Sequence, residues 1–176
     1  MKPTRSQEIL SWVKCLAFAL IIGLVINKAI IANAVVISSS MEDTIMVDSR
    51  IMGLRLSYFV SDPKRYDIIL FMPPDDASSA PYVKRVIGLP NEKVEIINGK
   101  VYIDDSETPL DDSFVKEAAR GDYGPFYVPE DSYFVLGDNR NNSLDSKNWI
   151  NTFVAKEMII GRVYFEYYPK PKLLLF

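Results

Sequence analysis

Val94-Glu95-Ile96-Ile97-Asn98-Gly99-Lys100-Val101-Tyr102-Ile103 reads as two short extended runs joined by Asn-Gly. That dipeptide supplies the two positive φ angles of a type I′ turn, and the flanking residues alternate in polarity with β-branched and aromatic side chains, so the stretch predicts a β-hairpin. Working outward, 50–56, 67–72, 82–87, 132–136 and 158–165 are further β-branched or aromatic runs bounded by Asp, Pro and Gly, as strands are. Residues 104–131 between them are acidic and turn-rich, with Asp111-Asp112, Gly121-Asp122 and Gly124-Pro125, and read as a surface excursion or small subdomain. The only soluble helical pattern is a short piece near 114–119, so the predicted class is mainly β.

Composition narrows the chemistry. The 176 residues, 48% hydrophobic and 24% charged, suffice for one compact domain plus an anchor. A net charge of −3 with both signs interspersed leaves no basic stripe for nucleic acid. The chain has no histidine, which removes Ser-His-Asp triads, Cys-His dyads and His-ligated metals together. Its single cysteine, Cys15, excludes an intrachain disulfide and a Cys-based metal site.

Cys15 opens an apolar run that is uninterrupted to Ile26, broken by Asn27 and Lys28, and resumed over 29–37. The uninterrupted part spans about 18 Å as a helix, but 15–37 spans about 34 Å, enough for a hydrocarbon core of about 30 Å. Lys2, Arg5 and Lys14 precede the run and an acidic domain follows it, which orients the N-terminus inside and the rest outside. The expected organisation is a cytoplasmic N-terminus at 1–14, a transmembrane anchor at 15–37 and an extracytoplasmic domain at 38–176. A competing reading is a cleavable signal peptide, because Ala32-Asn33-Ala34 has the small-x-small pattern of a cleavage site and cutting there would release a domain starting at Val35.

Three polar stretches remain: Ser38-Ser39-Ser40-Met41-Glu42-Asp43-Thr44-Ile45, Tyr82-Val83-Lys84-Arg85-Val86-Ile87-Gly88-Leu89-Pro90, and Gly137-Asp138-Asn139-Arg140-Asn141-Asn142-Ser143-Leu144-Asp145-Ser146-Lys147. Taken singly they read as a polar turn, an edge strand with surface charges and a turn-rich loop. Without histidine, a serine nucleophile needs lysine, tyrosine or a carboxylate as its base. Lysine serves only when neutral, and burial in apolar surroundings lowers its pKa by penalising the ammonium. Strand alternation puts Lys84 and Val86 on one face and Arg85 on the other, a pattern that suits one buried lysine and one solvated arginine.

In this order behind an N-terminal apolar segment, the three stretches resemble the type I signal peptidases, membrane-bound serine proteases that remove signal peptides from exported proteins. The resemblance runs from the anchor to about Tyr168. It implies an antiparallel β-sheet catalytic domain behind one N-terminal transmembrane helix, and it assigns Ser40 as nucleophile and Lys84 as general base. It further implies that Ser143 orients the lysine ammonium through a hydrogen bond, that Asp145 supports the site architecture, and that Arg140 and Lys147 fill basic positions. Lys147 stands where arginine is usual, so a salt bridge to Asp145 loses bidentate geometry. Ser38, two residues before the nucleophile, is expected to donate to the oxyanion together with the Ser40 backbone N–H, since extended spacing puts Ser38 and Ser40 on one face and Ser39 on the other.

The chain departs from the family pattern at Asp43, where proline is usual, at Ile37, where proline is frequent, and at Tyr66, where glycine is common before Asp67. The resemblance implies preprotein signal peptides and the lipid bilayer as partners and no cofactor. The compact length with a single anchor looks like enzymes of Gram-positive bacteria. Two other functions compete: a binding protein or assembly chaperone that uses the same groove without turnover, and a secreted self-associating β-domain released at Ala34. Relatives without turnover are expected to have lost the serine or the lysine, and this chain keeps both.

Overall fold

The computed structural model describes residues 5–76 and 80–175; Lys2 lies outside them. Helix α1 covers Arg5–Val25 and continues through a π-helical turn at Ile26–Ile30. Its Ala and Leu residues are good helix formers, and no proline interrupts it. None of the 26 residues from Arg5 to Ile30 is buried against the rest of the chain, although the segment is long and apolar enough to cross a membrane.

The remainder is antiparallel sheet. The strands in chain order are β1 (Ile31–Val35), β2 (Arg50–Leu54), β3 (Ile68–Phe71), β4 (Tyr82–Gly88), β5 (Lys93–Ile97), β6 (Lys100–Ile103), β7 (Tyr123–Tyr127), β8 (Ser132–Leu136), β9 (Val154–Ala155), β10 (Ile159–Tyr168) and β11 (Lys172–Leu173). The main sheet runs β1-β2-β10-β3-β4-β8-β9, with β11 paired to β10, and a smaller sheet runs β6-β5-β7. Asn98 and Gly99 have φ of 51° and 78°, both positive, as the hairpin turn requires.

Three clusters of buried side chains fill the domain. On β3, Ile68 and Leu70 join one cluster while Ile69 and Phe71 join another, so both faces of the strand are covered and its sequence shows no polar alternation. On β8, Phe134 and Leu136 pack toward the small sheet with Ile87 and Val94, while Tyr133 and Val135 pack with Val86 and Trp149. Lys84 and Arg85 on β4 therefore enter the interior on opposite faces.

Three sequence-based expectations are revised. The apolar segment does not stay helical to Ile37, because residues 31–35 pair in register with β2 from Ile31↔Leu54 to Val35↔Arg50 and bury Ala32. The helix itself already covers Arg5–Val25, ahead of the apolar run. Residues 114–119 form turns and bends rather than a helix, and β7 pairs with β5, which makes part of the 104–131 excursion a strand of the small sheet.

Gly53 holds β2 against β10: a Cβ there would lie 2.7 Å from the Arg162 carbonyl oxygen and 3.2 Å from its carbon. Gly53→Val should destabilise the domain by about 1–3 kcal/mol through overpacking. Thermal unfolding followed by near-ultraviolet circular dichroism checks this, and an unchanged Tm would show that the two strands can separate without cost.

Candidate active site

Ser38 is extended, and Ser39–Met41 forms a single 3-10 turn behind it. Met41, 1% exposed, anchors the turn in the core, which leaves Ser40 beneath the surface. Ser38 Oγ and Ser40 Oγ end 3.2 Å apart, while Ser39 Oγ points away and accepts a hydrogen bond from Asn142 Nδ2 at 2.7 Å. The expected pairing of Ser38 with Ser40 holds, although a tight turn rather than an extended strand produces it.

Lys84 reaches Ser40 from β4, with Nζ 2.6 Å from Oγ. The lysine is 4% exposed, and the Tyr82 ring centroid lies 5.5 Å from Nζ. Burial pulls its pKa down from 10.5 to about 8; Asp145 opposes the shift, Lys147 assists it and Asp138 opposes it. Lys147 Nζ is bound to Asp145 Oδ1 at 3.0 Å, so these two opposing charges stand side by side. The bridge is single, as expected for lysine in place of arginine. A lysine in this setting exchanges its proton near pH 8 and can accept one from the hydroxyl it touches.

The turn 137–147 is fastened to the Ser39–Met41 turn. Asn139 N donates to the Ser40 carbonyl at 3.1 Å, and Asn139 Nδ2 donates to the Ser39 carbonyl at 3.1 Å. Asp145 Oδ2 accepts from Gly137 N at 3.0 Å. Ser143 differs from expectation. Its Oγ is buried beside Gly137 and makes no hydrogen bond among the described residues, to Lys84 or to any other group, while Lys84 Nζ is engaged by Ser40.

Arg85 is not solvated. It is fully buried and donates through Nε and Nη2 to both oxygens of Asp138 at 2.9 and 2.7 Å, with its guanidinium 4.0 Å from the Phe114 ring centroid. The small-sheet excursion covers a face that an isolated strand would expose. Asp138 also accepts from Thr44 Oγ1 at 2.5 Å, so this buried pair links β4, the segment just after the Ser39–Met41 turn and the 137–147 turn. Arg140, likewise buried, is held by both oxygens of Asp112 at 3.0 and 2.9 Å. Reading along the chain misses the roles of Asp138, Asn139 and Asn142, which lie within a quoted motif, and of Asp112, which carries no local signal at all.

Two of the departures have a backbone counterpart. Asp43 has φ of 74° and Tyr66 φ of 73°. Proline is locked near −65° and cannot adopt the first value, so the chain turns differently just after Met41. Tyr66 holds a left-handed conformation that glycine adopts without strain, and its ring packs edge-on against Phe114 at 5.7 Å.

Ser38, Ser40 and Lys84 open onto a groove of about 530 Å³, with 34–41 on one wall, 80–84 on the other, and Leu144 at the rim. A serine hydroxyl against a buried amine, at the floor of a groove flanked by extended chain, is the equipment of a serine hydrolase that works without histidine. Residues 9–168 match the family described as signal peptidase, peptidase S26, and the chain belongs to that family of serine endopeptidases. It is 35% identical over 176 residues to the signal peptidase I of Bacillus amyloliquefaciens, covering 96% of this chain and 92% of the relative. It is 33% identical over 178 residues to that of Leptolyngbya laminosa, covering 98% and 86%. The crystal structure of a signal peptidase I from Enterococcus faecalis is 32% identical, with a TM-score of 0.47 over 58% of this chain and 97% of that one.

Burial of Lys84 also links stability to pH. Its folded pKa lies below its unfolded value of 10.5, so the unfolded chain binds the extra proton between about 8 and 10.5 and stability rises with pH across that window. Below it the buried ammonium costs on the order of 3 kcal/mol. Lys84→Met should therefore raise Tm at pH 7, with the gain shrinking above pH 8 and vanishing near 10.5. Thermal denaturation at several pH values checks this; a gain that did not vary with pH would mean the lysine is not the source.

Proposed function

We propose that the chain is a membrane-anchored endopeptidase in which Ser40 is the nucleophile and Lys84 the general base, and that it cuts signal peptides from exported preproteins after small-x-small sites. The carrying observation is the 2.6 Å contact between Lys84 Nζ and Ser40 Oγ in a buried setting that opens on the groove. Neutral Lys84 takes the hydroxyl proton as Oγ bonds to the scissile carbonyl carbon, and the resulting ammonium returns that proton to the amine as the C–N bond breaks. Water deprotonated by the same lysine then hydrolyses the ester. Ser38 Oγ and the Ser40 N–H are the donors for the oxyanion in this reading. Ser143 is assigned to orient the lysine ammonium once it leaves Ser40, which agrees with a buried hydroxyl that has no hydrogen-bond partner among the described residues. The groove walls supply strand edges to which an extended substrate can add.

Helix α1 is the anchor in this reading, with the basic N-terminus on the cytoplasmic side and the sheets on the outer face. Its apolar surface has no protein cover. The alternative of cleavage after Ala34 would remove four of the five residues of β1 from a strand paired residue by residue with β2. Retention of both Ser40 and Lys84 weighs against a binding protein without turnover.

Because serine and lysine act as one unit, Ser40→Ala, Lys84→Ala and the double variant should reach the same residual activity on a model preprotein. Near-normal turnover by Lys84→Ala would exclude the mechanism. The kcat/KM of the wild-type enzyme should climb roughly tenfold per pH unit and level off above pH 8, where the lysine is neutral. Lys147→Met leaves Asp145 uncompensated, so it should raise the lysine pKa and move that rising limb to higher pH; a limb that stayed in place would disconnect Lys147 from the base.

Ser38→Ala should lower kcat by about 10² to 10³ with little change in KM, the usual cost of one oxyanion donor. Ser39→Ala, which removes a hydroxyl turned toward Asn142, should do little. Steady-state kinetics on both variants decides the point, and the reverse ranking would overturn the oxyanion assignment.

A further inference from the structure

One residue holds the Ser39–Met41 turn at two successive peptides. Asn139 Nδ2 donates to the Ser39 carbonyl at 3.1 Å, and Asn139 N donates to the Ser40 carbonyl at 3.1 Å. The second hydrogen of the side-chain amide is directed to Glu42 Oε2 at 3.4 Å, so the nitrogen end has an acceptor for each of its two hydrogens.

The Ser39 carbonyl belongs to the same peptide as the Ser40 N–H. A trans peptide is planar, with its C=O and N–H directed oppositely, so a group that holds the carbonyl also aims the N–H. The turn's own contribution to this carbonyl is one hydrogen bond, from Glu42 N at 3.0 Å. A 3-10 turn of three residues, with its poorer hydrogen-bond geometry, holds a peptide plane loosely by itself. Asn139, by contrast, is firmly placed. Asp138 before it is bound through both oxygens by Arg85, Arg140 after it binds both oxygens of Asp112, and the Asn139 carbonyl accepts from Asn142 N at 3.0 Å.

We infer that Asn139 is a positioning residue of the oxyanion site: its side-chain amide fixes the plane of the 39–40 peptide, so that the Ser40 N–H is aimed at the developing oxyanion before substrate arrives. It acts through Ser40 and not on the substrate. A second effect has the same sign, because a carbonyl that accepts hydrogen bonds polarises the N–H of its own peptide and strengthens that donor. The inference rests on the reading of Ser40 as nucleophile with its N–H as an oxyanion donor.

The test compares wild type, Asn139→Ala, Asn139→Asp and Ser40→Ala, each as the full chain in detergent, on a model preprotein at pH 8. A peptide boronic acid ending in a small residue is the second probe, since boron bonds to Ser40 Oγ as a tetrahedral anion while the hydroxyl proton passes to Lys84, and the adduct resembles the transition state. Asn139→Ala should lower kcat by about tenfold to a hundredfold, short of the ~10² to 10³ for losing a donor outright, and weaken the boronate by the same factor with little change in KM. Asn139→Asp keeps the size and the backbone donor but turns a carboxylate toward the Ser39 carbonyl, so it should be the slower of the two. The rising limb of kcat/KM with pH, which reports Lys84, should stay in place in both. An Asp variant that matches wild type, or outperforms the Ala variant, overturns the inference in favour of packing, and a wild-type kcat in Asp overturns it even where Asn139→Ala does not fold. A fall in kcat with a matching rise in KM or a displaced limb also overturns it, since the whole turn would then have moved. Wild type that cuts no faster than Ser40→Ala removes the nucleophile reading and this inference with it, whereas an active wild type with unaffected Asn139 variants removes the inference alone.

Discussion

An amine kept out of water beside a hydroxyl is the constraint on which the architecture turns. Lys84 is 4% exposed, and the penalty that burial places on its charged form lowers its pKa, which in the proposed mechanism lets it act as the base. Such a group is poised only if nearby charges do not cancel the effect. Asp138 is paired with Arg85 and Asp145 with Lys147, and burial still outweighs the opposing pull of Asp145 and Asp138 on the lysine proton.

Those ion pairs also explain why the small sheet is present. Arg85 and Arg140, both fully buried, lean on Phe114 and Asp112 from the excursion that carries β7, and they bind the turn on which the Ser40 carbonyl rests. Removing one partner from a buried pair typically costs about 3–5 kcal/mol because the other charge is left alone. The excursion is therefore part of the support of the site, although none of its residues faces the groove.

Much of this was legible in the sequence, and the gaps have physical causes. The hairpin at 94–103 could be read because its information is local: Asn98 and Gly99 fix the turn and alternation fixes the faces. Ser38, Ser40 and Lys84 could be read from the resemblance and from the absence of any histidine to serve as base. The fate of Arg85 could not, since alternation assigns faces but does not say that a distant segment will cover the second one. The end of the helix departs from expectation for a related reason. Ile31-Ala32-Asn33-Ala34-Val35 continues the apolar composition of the helix, and only pairing with β2, which lies beyond the nucleophile turn, makes it a strand. Asp112 has no sequence signature because its partner is 28 residues away.

The junction at Ile30 and Ile31 has a metric consequence. Helix passes to strand without a linker, the strand is locked at the edge of the main sheet, and the nucleophile follows five residues after the strand ends. At about 3.3 Å per residue, the strand spans about 17 Å. On the proposed reading, in which α1 lies in the bilayer and Ser40 cuts the substrate, this segment is a ruler that sets the height of the cutting plane above the lipid. A substrate that is itself held in the bilayer by an apolar segment presents its bonds at graded heights, and only those level with that plane meet the serine. The position of the cut is then measured from the membrane as well as recognised in the groove.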